Sequence, residues 1–149
     1  MLKDFELSWR FMDSNYNLLP ETDLNMICEV PLNKCKLLWG KYNLHKLFNN
    51  KNFIDYQKID KYLLIKDCFW GEENENSTRN ILSKLSFDNE IVFFWAEDCA
   101  VSTTYNIFVK YWSDFCYPSD YKSIIVCINK FVLVYKEDVI FKLPWEFFI

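Results

Sequence analysis

The sequence predicts one α+β domain, with helices mainly in the first half and an antiparallel β-meander in the C-terminal half. Three observations carry that expectation. The C-terminal part holds three short apolar runs, SIIVCI (123–128), FVLVY (131–135) and VIFKL (139–143), separated only by short polar links. Runs of this length, rich in β-branched and aromatic residues, are strands, and links this short are hairpins. Earlier in the chain the apolar period is helical: Leu32, Cys35, Leu38 and Trp39 fall at i, i+3, i+6 and i+7. Finally, 149 residues with 51% hydrophobic and 19% aromatic content suffice for one sizeable core. No repeat, low-complexity stretch or composition shift marks a domain boundary.

In chain order, LSWRFM (7–12) has the alternation of a short edge strand. PETDLNMIC offers proline at a first helical turn with acids beside it, which suits the helix dipole. A second helix starts at Pro31, and Leu44, Leu47 and Phe48 extend its apolar stripe beyond Gly40. Asn49–Asn52 (NNKN) is a polar break and a surface loop. Residues 53–70 are ambiguous, and Tyr62–Ile65 fits either a strand or a helix end. GEENENST (71–78) is a loop or the start of a helix, with Ser77 as N-cap and Ile81, Leu82 and Leu85 as a short amphipathic helix after it. Asp88 and Asn89 signal a turn. Ile91–Ala96 is then a continuous apolar run, as in a buried central strand.

From Ser102 the period becomes helical, through Tyr105, Phe108, Val109, Trp112, Phe115 and Cys116, until the turn YPSD (117–120). Ser102 or Thr103 stands where that helix needs a cap. Asn129–Lys130 and Glu137–Asp138 link the last three strands.

Composition also excludes functions. Gly40 and Gly71 are the only glycines, so a glycine-rich phosphate loop is not expected. The six cysteines, at 28, 35, 68, 99, 116 and 127, form no CxxC pair, so neither a zinc site nor a redox motif is expected. Reduced, mostly buried thiols are. The first residues, MLKDFELSWRF, carry charges where a signal peptide has its apolar stretch, and no window approaches the roughly 20 apolar residues of a membrane span. A cytoplasmic protein that does not engage a membrane is expected.

Charge is spread in blocks. The net charge of −4 divides into −4 over residues 1–33, +6 over 34–66, −7 over 67–120 and +1 over 121–149. A strongly acidic region argues against nucleic acid as the main ligand and for a basic protein partner. The lysine-rich block leaves open contact with an acidic surface instead.

Catalysis finds little support in local spacing. Cys99 follows Glu97 and Asp98 in a strand-then-helix context, but small residues for a nucleophile elbow are missing. The one histidine, His45, reaches Cys99 or the acids only if the fold brings them together. No metal site or cofactor is expected, because hard-cation sites gather carboxylates from separate segments and no spacing here indicates one.

Two segments carry a resemblance. EVPLNKCKLLW, with Pro31, Leu32, Leu38 and Trp39, and STTYNIFVKYWSDF, with Thr103, Thr104, Phe108, Trp112 and Phe115, resemble a family of small uncharacterised bacterial cytoplasmic proteins, with Tyr105 where tryptophan is expected. These are packing motifs and imply fold. The overall profile, small, acidic and single-domain, also resembles immunity proteins of contact-dependent growth inhibition and related polymorphic toxin systems. That second resemblance is one of type and rests on no motif. It implies a non-enzymatic protein whose partner is the C-terminal domain of a cognate toxin, most simply a nuclease with a basic cleft. Glu72, Glu73 and Glu75 are then the first partner-binding candidates, Glu97, Asp98 and Asp120 the second, and Trp70 an aromatic anchor. The alternative is a small cysteine- or carboxylate-dependent hydrolase. Oligomeric state is not legible.

Overall fold

The computed structural model describes residues 2–49, 53–69, 71–85 and 88–149. Its helices are α1 (Trp9–Met12), α2 (Glu21–Leu24), α3 (Leu32–Lys41), α4 (Tyr56–Ile59), α5 (Gly71–Ser83), α6 (Tyr105–Lys110) and α7 (Trp112–Phe115). Its strands are β1 (Cys28–Glu29), β2 (Leu63–Ile65), β3 (Glu90–Ala96), β4 (Cys99–Thr104), β5 (Ser123–Cys127), β6 (Phe131–Lys136) and β7 (Val139–Pro144). The strands form one antiparallel sheet in the order β1-β4-β3-β5-β6-β7-β2. The expected α+β architecture is therefore present, helices mostly early and the meander late.

Helical layers cover both faces of the sheet, which is why the strand runs are apolar without alternation. On one face, Phe93, Val101, Ile125 and Leu133 pack against α1, α2, α5, α6 and α7 through Phe11, Leu24, Leu82, Phe108, Trp112 and Phe115, with Ile27 following α2. On the other, Phe94, Ala100, Val126 and Val134 pack against Cys35 and Trp39 of α3, the 3-10 turn Leu44–Leu47, and Ile59 of α4. Adjacent strand residues thus feed opposite cores.

Several expectations change. LSWRFM is not an edge strand: α1 is helical, and its neighbours Arg10 and Phe11 are both buried. Of the two readings of GEENENST, the start of a helix holds, but its cap is not Ser77. Helix α5 already begins at Gly71, whose φ of +86° is the left-handed conformation glycine tolerates. The stripe beyond Gly40 is not a continuation of α3. The chain breaks at Asn43 (φ 53°), whose Nδ2 donates to the Phe148 carbonyl at 2.8 Å, and re-enters as the 3-10 turn. Of Tyr62–Ile65, Tyr62 closes a 3-10 turn and Leu63–Ile65 is β2, paired with β7. Of the NNKN loop, only Asn49 lies within the described residues.

The stretch after Glu97 and Asp98 differs most. Cys99–Thr104 is a strand hairpinned back onto β3, in keeping with its β-branched Val101, Thr103 and Thr104. The helix starts one step later, and its cap is Thr104, not Ser102 or Thr103: the Ile107 N–H donates to Thr104 Oγ1 at 3.2 Å. The expected single helix is also split at Tyr111 into α6 and α7. There the Tyr111 hydroxyl donates to Asp23, and Lys110 Nζ contacts the same carboxylate at 2.9 Å, tying this corner to α2. Thr104→Ala is expected to cost about 1 kcal/mol in urea unfolding, as loss of an N-cap does. Thr103→Val removes a buried hydroxyl without a partner and is expected to cost nothing comparable.

Candidate functional site

The hairpin registers place the Glu97–Asp98 turn and the Glu137–Asp138 turn at the same end of the sheet, with the start of β5 between them. At the strand spacing of a sheet the two tips are about 10–15 Å apart. Asp67 follows β2 at this end. The Cys68 and Phe69 amides donate to the Asp138 main-chain and side-chain oxygens, which brings the first turn of α5 alongside. Glu72, Glu73, Glu97, Asp98, Asp67 and Glu137 are all exposed there. Glu137 and Asp138 both have positive φ, 42° and 75°, the geometry of a tight hairpin that glycine or asparagine adopts at lower cost.

The candidate acids therefore divide. Glu72 and Glu73 share the first turn of a helix, and Glu97 and Asp98 share a hairpin tip. Glu75 is half-buried and lies 3.9 Å from Arg79. Asp120 does not belong to the surface: its side chain is 12% exposed and its two oxygens grip the Arg10 guanidinium at 2.7 and 2.9 Å. Trp70 lies outside the described residues. Asp67 and Glu137 were missed as site residues in the sequence, where Asp67 is a single acid after a strand and Glu137–Asp138 reads only as a hairpin link. Only the register reveals that they join the others.

The charge blocks become layers. The helices on one face carry Glu21, Asp23, Glu72, Glu73, Glu75 and Asp114, and their basic residues Arg10, Arg79 and Lys110 are engaged in ion pairs with acids. The opposite layer exposes Lys34, Lys36, Lys41, Lys58 and Lys61. The sheet thus separates an acidic helical surface from a basic one.

Where the basic layer meets the acidic sheet end, a cleft of about 770 Å³ is lined by Trp39, His45, Phe48, Asn49, Ala96, Glu97 and Lys122. Trp39 and Phe48 stack, with centroids 5.6 Å apart, and Lys122 Nζ sits 4.2 Å from the Phe48 ring centre. Partial burial holds the Lys122 ammonium below its ordinary pKa. The fold therefore does bring His45 and Glu97 together.

It does not bring Cys99 into that chemistry. The Cys99 thiol is buried, and desolvation, with Glu6 beside it, pushes it up to about 12. Cys68 is likewise raised to about 12 by burial. A nucleophilic thiol needs the opposite shift. Five of the six cysteines are buried and Cys28 is exposed. Among the described residues, no group of three His, Cys, Asp or Glu side chains is placed to hold a metal ion, and no helix is long and apolar enough to cross a membrane.

Fold and surface together define a three-layer protein: an antiparallel sheet between an acidic and a basic helical layer, with a polar cleft where the basic layer meets the sheet end. Residues 1–144 match the family described as protein of unknown function (DUF2947), and the chain belongs to that family. No curated protein and no solved structure matches it.

Proposed function

We propose that the protein is an immunity protein that binds the C-terminal domain of a cognate toxin, most simply a nuclease, and neutralises it by covering a basic active-site cleft. The observation that carries this reading is the convergence of Glu72, Glu73, Glu97, Asp98, Asp67 and Glu137 at one end of the sheet. Such a mainly acidic surface, with Lys66, Lys122 and Lys136 as the basic residues at the same strand ends, speeds encounter with a basic cleft and then blocks it. The left-handed Glu137 adds support, since a carboxylate is kept where glycine would be less strained.

Co-expression with the products of neighbouring genes tests the proposal. A partner lethal alone and harmless with this protein is the expected result; no stoichiometric partner would sink it. With that partner in hand, the triple variant Glu72→Gln, Glu73→Gln, Glu75→Gln is expected to slow association about tenfold or more at low salt and to flatten its salt dependence. An unchanged on-rate would move the interface elsewhere on the molecule.

A second reading, a carboxylate-dependent hydrolase, is favoured by one observation: Glu97 and His45 line the same cleft. Its cysteine-dependent form has no support in the burial of Cys99.

A further inference from the structure

The immunity reading uses the acidic side of the molecule and leaves the cleft at its other border unexplained. Three segments far apart in sequence build that cleft. The 3-10 turn Leu44–Leu47 presents His45, and the chain just after it Phe48 and Asn49. The β3–β4 tip brings Glu97, and the residue before β5 brings Lys122. Its volume lies within the range of roughly 300–1,000 Å³ typical of small-molecule sites. Its wall is aromatic: Trp39 packs edge-on against Phe94 at 5.4 Å and stacks on Phe48. A cation is held against that wall at Phe48, and an imidazole and a carboxamide line the same space. On one side of it α3 and α4 expose Lys34, Lys36, Lys41 and Lys58. Among the described lining residues, Glu97 supplies the one carboxylate.

We propose that this cleft binds a small molecule made of an apolar or aromatic body and one anionic group, a phosphate or a carboxylate. Lys122 and His45 hold the anion, and the body lies along Phe48 and Trp39. The chemistry follows from the lining. A partly desolvated ammonium gains more from an anion than one in bulk water does. The imidazole donates in either protonation state, and the rings offer apolar area that water covers at a cost. The carboxylate of Glu97 stands against the anion and limits affinity, so the site is tuned rather than maximally basic.

His45 is the one histidine of the chain, so its imidazole proton resonances report on the site without ambiguity. Titration of the whole protein with phenyl phosphate, benzoate and inorganic phosphate, followed at those resonances, tests the proposal. Phenyl phosphate or benzoate is expected to give a saturable shift with a dissociation constant of about 1 mM or below. Whichever of the two binds more tightly identifies the anionic group.

Lys122→Gln is expected to weaken that probe about tenfold or more, and Glu97→Gln to tighten it. Because Lys122 is partly buried, the exposed Glu97→Gln variant keeps the test decisive if Lys122→Gln does not fold. No saturable shift would overturn the proposal. So would equal binding of inorganic phosphate, or an affinity indifferent to Glu97→Gln. Toxin binding through the acidic end does not require Lys122, so the two readings fail separately.

Discussion

Asp120→Asn is expected to lower stability by about 3–5 kcal/mol, the cost of leaving a buried charge without its partner. Arg10 is 5% exposed, and its guanidinium is enclosed by aromatic rings, with Tyr117 at 4.2 Å, Trp9 at 5.2 Å and Trp95 at 5.5 Å. It donates to both oxygens of Asp120 and to the Phe115 carbonyl at 3.0 Å. Asp120 also accepts the Tyr117 amide at 2.8 Å, and Phe115 O takes a second bond from Trp95 Nε1 at 2.9 Å. One ion pair therefore joins α1 to the segment leading into β5. Removing either partner strands the other in a low-dielectric setting. A paired Arg10→Met, Asp120→Leu replacement removes both charges and is expected to cost clearly less than either single change. Urea unfolding of the two singles and the double gives the coupling. Single losses under 1 kcal/mol would show the pair to be solvated.

Trp112→Ala is expected to cost about 3–5 kcal/mol, as does truncation of a large buried aromatic residue. Trp112 is fully buried, lies 4.9 Å from Phe69 between ring centres, and donates its indole N–H to the Glu75 carbonyl at 3.2 Å. It therefore ties α5 to α7 as well as filling the core. Trp112→Phe keeps most of the volume and loses the hydrogen bond, so about 1–2 kcal/mol is expected. Hydrogen exchange separates the two roles: α5 amides are expected to lose protection first in both variants. Uniform loss across the sheet would mean that Trp112 contributes packing alone. The acidic turn with Glu72 and Glu73 rides on this helix, so its placement depends on the same contact.

Much of the fold was legible because side-chain periodicity is local. Val92 and Phe93 are adjacent and both buried, which demands a strand covered on two faces. The spacing of Cys35 and Trp39 demands a helix stripe. The errors have equally local causes. LSWRFM alternates like a strand, yet its buried residues are the neighbours Arg10 and Phe11, and Arg10 is buried only because Asp120 stands 110 positions later. CAVSTT looked like a helix start because its hydroxyls could cap. Pairing with β3 settles it as a strand and moves the cap to Thr104.

The candidate site was half legible. The acids were visible as residues, but Asp120 could not be told apart from its neighbours, since a surface carboxylate and one neutralised inside a core look alike in sequence. The cleft of His45, Glu97 and Lys122 draws on three separated segments and has no spacing signature.

By itself, then, the sequence determined the α+β class, the buried central strand and the division of charge into blocks. Each is written in the order of residue types over a few turns or strands. Only the tertiary structure decided that the acidic and basic blocks become opposite layers, that two hairpin tips and one helix start form a single acidic end, and that Asp120 is internal. Those outcomes depend on strand register and on which distant side chains meet, and burial energies act on such contacts only once the sheet has assembled.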